Sequence, residues 1–424
     1  MHRIFFNINA EKLGIYLFLF FLMYSNLFSR VTGLNLNAIF YLIFLLVFFY
    51  SLKHFIWDSI TIVLMFIALF FSLYIFDFRY YFSANLWSLK DIVIPLLCFL
   101  IGSRLSIYKD DVMNYINLIF LPFVAYGVAQ AIIFYSGNFS AVLPWDASHI
   151  ESMSSAGIKN LFQCQLLRFF GVMNAFLEYQ LYVVFIVSLL WLNVDAVKNR
   201  VLFAINFLLA IIFLALSFER SPIIMFLILI FIWNFKFIPK KMGLFLLRST
   251  VILAVIVFSI YGTEKLKEHP ILGCAAQRLN NLLTLNLERD EAINYRIDNN
   301  WRESSGLALK NYFGIGPGRI SPAAQSYQDY VGPHNNFLVY YLGYGILGLI
   351  FFLFFLVLVS IRLYRLERNY KYFGYGTLFS FCAMAMFNSP FLGKGGILFF
   401  LILGCLLFSS SNKYGKQCSK AMYK

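Results

Sequence analysis

Apolar side chains occur along this chain in continuous runs of about twenty residues, each followed by a short polar break. Such a run predicts a helix that crosses a bilayer, whereas regular alternation of apolar and polar residues would predict a strand of a membrane barrel. We count about twelve predicted spans. Their approximate centres are Phe20, Ile43, Phe66, Leu97, Val124, Ile186, Ala210, Leu227, Val255, Phe352, Phe379 and Leu401.

Two features of this pattern affect the count of spans. The fourth run is short, and the seventh and eighth runs are separated only by the break at Glu219-Arg220-Ser221. The first run, near residues 13–28, lacks a small-residue cleavage site and opens a series of similar runs. We therefore interpret it as the first span and not as a cleaved signal peptide.

The composition supports a membrane protein and excludes most soluble classes. The chain of 424 residues is 61% hydrophobic, 20% aromatic and 13% charged, whereas soluble domains are about 45–50% apolar and about 25% charged. A soluble enzyme, a DNA-binding domain, a secreted disulfide module and a disordered chain are excluded. The predicted fold class is an all-α polytopic membrane protein with about twelve transmembrane helices.

The distribution of basic residues predicts the topology. Twelve spans place both termini on one side, and that side carries 19 of the 34 Lys and Arg residues, against seven in the short loops of the other side. Basic residues accumulate in short cytoplasmic loops, so both termini are predicted to be cytoplasmic. The net charge of +14 is therefore read as a topology signal, and no nucleic-acid partner is predicted.

The same topology divides the chain into four regions. Residues 1–261 hold spans one to nine, with a periplasmic loop near 136–168. Residues 262–332 form a large periplasmic loop, residues 333–409 hold spans ten to twelve, and residues 410–424 form a cytoplasmic tail. The large loop contains a helix-like stretch and ends in a glycine-rich turn, Gly314–Gly318. The residues predicted to share one face of that helix are Ile297, Trp301, Ala308 and Tyr312.

The sequence predicts neither a metal nor a cofactor. The six cysteines form no CxxC motif, and neither a Walker A motif nor a GxGxxG fingerprint occurs. The outer loops lack a pair of acids in a liganding spacing, and the nearest approach to a cation cluster is Glu288, Asp290 and Glu291. Cys164 and Cys274 are both predicted outside, where either a disulfide or two separate thiols is chemically permitted.

Two residues at the predicted outer membrane boundary are the main catalytic candidates. Arg220 lies between two apolar runs, where its guanidinium can bind a phosphate bidentately or simply snorkel beside Glu219. His334 lies at the start of the tenth span, and Pro333 is predicted in the first turn of that helix. The amino end of a helix favours a neutral imidazole, as a general base requires, and attracts phosphate oxygens. The alternative is an interfacial histidine bonded to a loop.

Further charged and aromatic residues could complete an anion pocket. Arg296 opens the predicted loop helix beside Trp301, and Arg319 follows the glycine-rich turn. Arg168 lies at the end of the first outer loop, and Glu178 follows within a span, where a buried acid needs a cationic partner. A solvated charged face is the alternative interpretation for the loop residues.

Four motifs in order resemble those of the superfamily of O-antigen polymerases and O-antigen ligases. They are Arg168 to Gly171, the break at Glu219-Arg220-Ser221, the segment from Arg296 through Gly318, and Pro333-His334-Asn335-Asn336 followed by Gly345 to Leu349. The sequence departs from that pattern at two places. Many members have an acid where this chain has Gly343, and ligases often have an acid where this chain has Asn336, which favours a polymerase.

The resemblance implies an inverting membrane glycosyltransferase of the GT-C type at the periplasmic face of the bacterial inner membrane. Its donor would be an oligosaccharide on undecaprenyl diphosphate, held among membrane lipids, and a chain-length regulator would be a further partner. The catalytic residues would be His334, Arg220 and Arg296, and the substrate-binding residues Arg168, Glu178, Asn335, Trp301 and Arg319. A polymerase would extend another lipid-linked repeat unit, and a ligase would use the lipid A core. A transporter of lipid-linked glycans is a competing class.

Overall fold

The computed structural model describes most of the apolar runs and part of the loops between them. The described residues are 10–53, 58–77, 82–135, 162–163, 166–167, 171–173, 176–217, 220–237, 265, 277, 280, 294, 296–320, 331–332, 334–386 and 388–409. The structural statements below refer to these residues.

Twelve α-helices occur within the described part of the chain. In chain order they are α1 (Ala10–Thr32), α2 (Asn37–Lys53), α3 (Ser59–Leu73), α4 (Phe82–Leu105), α5 (Lys109–Tyr135), α6 (Phe176–Leu192), α7 (Arg200–Ser217), α8 (Arg220–Asn234), α9 (Arg302–Lys310), α10 (Asn336–Tyr364), α11 (Arg368–Ala385) and α12 (Gly393–Ser409). Short 3-10 helices occupy Tyr74–Phe76, Phe235–Phe237 and Pro317–Arg319, and a π-helix occupies Arg296–Trp301.

Most of the predicted spans coincide with observed helices. Eleven of the twelve predicted centres fall inside α1 to α8 or α10 to α12, and the remaining one, Val255, lies outside the described residues. The fourth run gives a helix of 24 residues, so the prediction that it is short was wrong. A two-stranded antiparallel hairpin pairs Phe162–Gln163 with Leu166–Leu167 inside the region predicted as a loop.

Five helical segments in the described ranges are long and apolar enough to cross a membrane. They are Ala10–Thr32, Ser59–Phe76, Phe82–Leu105, Lys109–Ile133 and Asn336–Tyr364. Shorter apolar helices of 10–17 residues lie within α2, α6, α7, α8 and α12. The exact number of spans and the GT-C fold stay predictions.

The chain forms two compact units. The first comprises Met1–Lys53, Tyr108–Ile224 and Thr250–Leu285, and the second comprises His54–Ile107, Met225–Ser249 and Asn286–Lys424. In the first unit, Asn206 on α7 donates from its side-chain amide to the side-chain oxygen of Asn117 on α5, at 2.8 Å. Both residues are buried, and such a polar contact between apolar helices fixes their register.

The second unit is centred on close packing between α4 and α12. A Cβ added at Gly102 of α4 would collide with the carbonyl oxygen of Leu401, and one added at Gly404 of α12 would collide with that of Phe99. Only glycine allows the two backbones to approach this closely, as is common where helices pack in membranes. The two contacts are reciprocal, because each helix supplies one glycine and one carbonyl.

Candidate active site

The first turn of α10 is capped by Asn335. Its side-chain oxygen accepts the N–H groups of Phe337 at 2.9 Å and Leu338 at 3.1 Å, and its amide nitrogen donates to the carbonyl of Met386 at 3.2 Å. The helix therefore begins at Asn336, three residues after Pro333, which lies outside the described residues. The prediction that Pro333 occupies the first helical turn was wrong, because an asparagine cap starts the helix later.

This cap changes the expected role of the helix end. Two of the N–H groups that were predicted to attract phosphate oxygens are already bonded to Asn335. Asn335, predicted to bind substrate, thus has a direct structural role as the cap and as a link to Met386. These two N–H groups are therefore not free to bind a ligand.

His334 lies immediately before that cap, exposed and with an unusual backbone conformation. Its φ angle is 46°, and it is the one non-glycine residue with positive φ among those described. Histidine is one of the types enriched in this left-handed region, and the conformation still costs on the order of 1 kcal/mol. Strained backbone of this kind is concentrated at functional sites, so the geometry agrees with a functional role for His334.

The glycine-rich turn is inserted into an interruption of α10. At Gly345 the backbone leaves the helical region, with φ 72° and ψ −171°. In a continuous helix the N–H of Ile346 would donate to the carbonyl of Leu342. Here Ile346 donates instead to the carbonyl of Tyr312 at 2.9 Å, and Leu342 accepts from the N–H of Ile315 at 2.6 Å. The turn therefore takes over both partners that the interrupted helix loses.

Glycine is required on both sides of this insertion. A Cβ at Gly314, which has φ 81°, would lie 2.6 Å from the backbone nitrogen of Gly345. A Cβ at Gly345 would lie 2.5 Å from the carbonyl oxygen of Tyr312. The two segments that the resemblance singled out, Gly314 to Gly318 and Gly345 to Leu349, are thus halves of one contact. Gly343, where many members of the superfamily have an acid, is buried, and a Cβ there would lie 2.6 Å from the end of the Ile320 side chain.

The turn is also attached to neighbouring elements of the second unit. Ser88 on α4 donates its hydroxyl to the carbonyl of Pro317 at 2.6 Å, and the N–H of Val331 donates to the carbonyl of Arg319 at 2.9 Å. A small core forms beneath the turn from Ala308, Ile315, Ile320, Val339 and Leu342. Arg319, a predicted substrate-binding residue, is half-buried at the end of this anchored segment.

The loop helix differs from its prediction. Residues 296–301 form a π-helix and α9 follows, so Arg296 is the first residue of the π-helix and Trp301 the last. Ala308 is buried, but Ile297 and Tyr312 are exposed. The predicted single face was therefore wrong, because the wider π turn changes the angular spacing and α9 ends at Lys310, before Tyr312.

The remaining predicted residues belong to the first unit. Arg220 is the first residue of α8, Glu178 lies in the first turn of α6, and Arg168 lies outside the described residues. Gly171, the end of the Arg-x-x-Gly motif, is held at φ 52° by two contacts. Its N–H donates to the side chain of Gln130 at 3.0 Å, and its carbonyl accepts from the Arg30 guanidinium at 2.6 Å.

The predictions about a metal site and a disulfide concern residues that lie mostly outside the described part of the chain. No group of three or more His, Cys, Asp or Glu side chains that could hold a metal ion occurs within the described ranges. Glu288, Asp290 and Glu291 lie outside those ranges, as do Cys164 and Cys274. The pairing of the two cysteines stays open.

Two polar residues that the sequence analysis did not propose as site residues, Asn336 and Lys394, are buried. Asn336 is fully buried, and its side-chain oxygen accepts the N–H of Phe391 at 3.1 Å. Lys394, in the first turn of α12, is only 8% exposed. The available signal was a lone lysine among Gly393, Gly395 and Gly396 at the start of an apolar run.

Comparison with known families agrees with the motif pattern. A family model described as O-antigen ligase matches residues 205–353, about a third of the chain. The matched segment contains Arg220, Arg296 and His334 as well as both halves of the glycine contact. The resemblance to the superfamily of O-antigen polymerases and ligases is therefore confirmed. No curated protein matches the chain.

Proposed function

Because residues 205–353 match the O-antigen ligase family model, we propose that this protein is a membrane glycosyltransferase acting on glycans linked to undecaprenyl diphosphate. The reaction takes place at the periplasmic face of the bacterial inner membrane, with both termini in the cytoplasm. Its principal activity is that of an O-antigen polymerase, which joins repeat units. The observation that carries the proposal is the presence of Arg220, Arg296 and His334 within the matched segment.

The reaction is a single displacement at the anomeric carbon of the donor sugar. The acceptor hydroxyl oxygen forms a bond to that carbon while the bond to the diphosphate oxygen breaks, and the diphosphate leaves with the electron pair. The hydroxyl proton passes to the imidazole of His334, which acts as general base. Attack from the face opposite the leaving group inverts the anomeric centre.

The charge that develops on the diphosphate is balanced by arginines in this proposal. A glycosyl diphosphate already has a good leaving group, so fixed cations contribute more than a strong acid would. Arg220 and Arg296 fill that role, and Arg168 supports it. The guanidinium fork matches two phosphate oxygens at once, which a lysine ammonium does not.

The position of His334 supports its assignment as the base. The residue is exposed, so an acceptor can reach it, and Asn335 on its carboxyl side is fixed by three hydrogen bonds. The inserted turn holds α10 a few residues further along. A general base contributes most when it is held in place before the substrate arrives.

A ligase is the second candidate, favoured by the description of the matched family model. In that reaction the donor and the displacement are the same, and the acceptor is the lipid A core. The departure at Asn336, where ligases often carry an acid, is the reason to place the polymerase first.

The test uses purified protein in nanodiscs with undecaprenyl-diphosphate-linked repeat units, with and without lipid A core. A ladder of extended units on the lipid carrier identifies a polymerase, and glycan transferred to the lipid A core identifies a ligase. Arg220→Lys should be nearly as inactive as Arg220→Ala, because both lose the bidentate fork. An intact donor under all conditions, with folded protein, would refute the proposed glycosyl transfer.

A further inference from the structure

Lys394 is a buried cation in the first turn of α12, at the predicted outer end of the last span. It is 8% exposed, and the residues around it on the helix are Gly393, Gly395 and Gly396. Lysine is rarely buried to this extent, and an ionisable residue at such depth in a membrane protein is a functional candidate. The reaction proposed above makes no use of it.

A second buried donor lies on the connection that leads to Lys394. The side-chain oxygen of Asn336 is fixed by the N–H of Phe391, three residues before Lys394. That hydrogen bond places the same amide group beside Phe391, two residues before α12 begins. Its nitrogen, Nδ2, has no hydrogen-bond partner among the described residues, although Asn336 is fully buried. Leaving such a donor unsatisfied is costly, so this geometry points to an acceptor supplied from outside the chain.

The residues that flank Lys394 are glycines, and Pro95 and the Phe391 carbonyl pack against the backbone at Gly396. Gly393 has φ 55°, and a Cβ on Gly396 would lie 3.0 Å from the Pro95 side chain and closer still to the Phe391 carbonyl. The first turn of a helix presents N–H groups that have no partner within the helix, and it carries a partial positive charge. An ammonium, an amide N–H and a helix amino end all favour an anion.

We propose that Lys394 and Asn336 form an additional binding site for phosphate oxygens, which holds the diphosphate of the lipid-linked donor. The inference rests on the proposed function for the identity of that anion. His334, Asn335 and Asn336 are consecutive, so one short segment carries both the base and a donor of this site. Lys394 is a binding residue here and takes no proton from the acceptor.

The test measures binding of farnesyl diphosphate, a short isoprenyl diphosphate, to purified full-length protein in detergent. Farnesol is the probe without phosphate. Lys394→Gln should weaken farnesyl diphosphate binding about 10- to 100-fold, the usual effect of losing a charge-assisted hydrogen bond. It should leave farnesol binding unchanged. Lys394→Arg keeps the charge and should bind within about threefold of the wild type.

Asn336→Asp tests the second donor with little change in shape. The carboxylate still accepts the N–H of Phe391, but it replaces the N–H donor with a negative oxygen that repels phosphate. Binding should therefore fall at least as far as in Lys394→Gln. The matched control is Lys371→Gln, in the first turn of α11, whose ammonium lies 3.7 Å from the Tyr364 ring centroid. This control should bind like the wild type.

The outcomes separate this inference from the proposed function. Wild-type protein that binds no farnesyl diphosphate would count against the proposed donor itself. Wild-type binding that Lys394→Gln and Asn336→Asp leave intact, with both variants folded by thermal melting, would overturn the site alone. Displacement of farnesyl diphosphate by equal concentrations of phosphatidylglycerol would also overturn it, since the site would then bind lipid phosphates in general.

Discussion

Replacing Gly345 by alanine should separate the glycine-rich turn from α10. The backbone at Gly345 has φ 72° and ψ −171°, a conformation that costs a residue with a Cβ about 1–3 kcal/mol. The new Cβ would also lie 2.5 Å from the Tyr312 carbonyl oxygen, so the turn must retreat. Retreat breaks the hydrogen bonds Ile346 to Tyr312 and Ile315 to Leu342, each with a net value of about 0.5–1.5 kcal/mol.

The free energy of unfolding should therefore fall by about 2–6 kcal/mol. The loss is nearer the lower value if α10 becomes a continuous helix, because that helix regains one hydrogen bond. The melting temperature of detergent-solubilised protein should fall by roughly 2–7 °C. Limited proteolysis should cut Gly345→Ala within residues 311–320 faster than it cuts the wild type, in which hydrogen bonds hold this segment to α10. Glycan transfer should fall with it, because the turn supports the first turns of α10.

Gly306→Ala is the matched control for this prediction. Gly306 lies on α9, and nothing would stand within 4 Å of an added Cβ. The substitution should therefore be neutral or raise the free energy of unfolding by about 0.5–1 kcal/mol, as helix propensity predicts. The reasoning would be refuted if Gly345→Ala had the same melting temperature as Gly306→Ala and its turn resisted proteolysis as in the wild type. The interruption of α10 would then have no energetic importance.

Three further predictions follow from the site. His334→Ala should slow glycan transfer about 10²- to 10⁴-fold at normal membrane levels, the usual contribution of a general base. A full-length polysaccharide ladder in cells would remove the histidine from the mechanism. Transfer by purified protein should persist in excess chelator, and a loss that Mg²⁺ or Mn²⁺ restores would instead point to Glu288, Asp290 and Glu291. A cysteine introduced at Ser326, with native cysteines removed, should react with an impermeant thiol reagent in intact spheroplasts. Protection there together with labelling of a cysteine at Asn412 would reverse the topology.

The helices could be predicted from the sequence because their signal is local. A run of about twenty apolar residues has to satisfy its backbone internally, and eleven predicted centres fall in observed helices for that reason. The loop helix was less predictable. Its apolar residues were assigned to one face on the assumption of a regular α-helix. The chain instead changes from a π-helix to α9 at Arg302, and the number of residues per turn changes with it.

The candidate site could be predicted only in part, because its contacts join residues that are distant along the chain. His334 was visible from its position before an apolar run. The hydrogen bonds between the glycine-rich turn and α10 could not be predicted, because a glycine motif does not show which distant segment of the chain it contacts. Lys394 was not proposed as a site residue, because its burial depends on how α12 packs and cannot be predicted from the local sequence.

The reciprocal glycine contacts of α4 and α12 have a consequence for biosynthesis. Gly102 and Gly404 each receive a carbonyl from the other helix, so neither helix completes its packing alone. α4 leaves the ribosome long before α12. The face of α4 that carries Gly102 therefore has no packing partner while the intervening segments are translated. The second unit, which contains His334 and its cap, is therefore expected to complete its folding only after α12 has been synthesised and inserted. A nascent chain stopped before Gly393 would expose the α4 face to quality-control proteases.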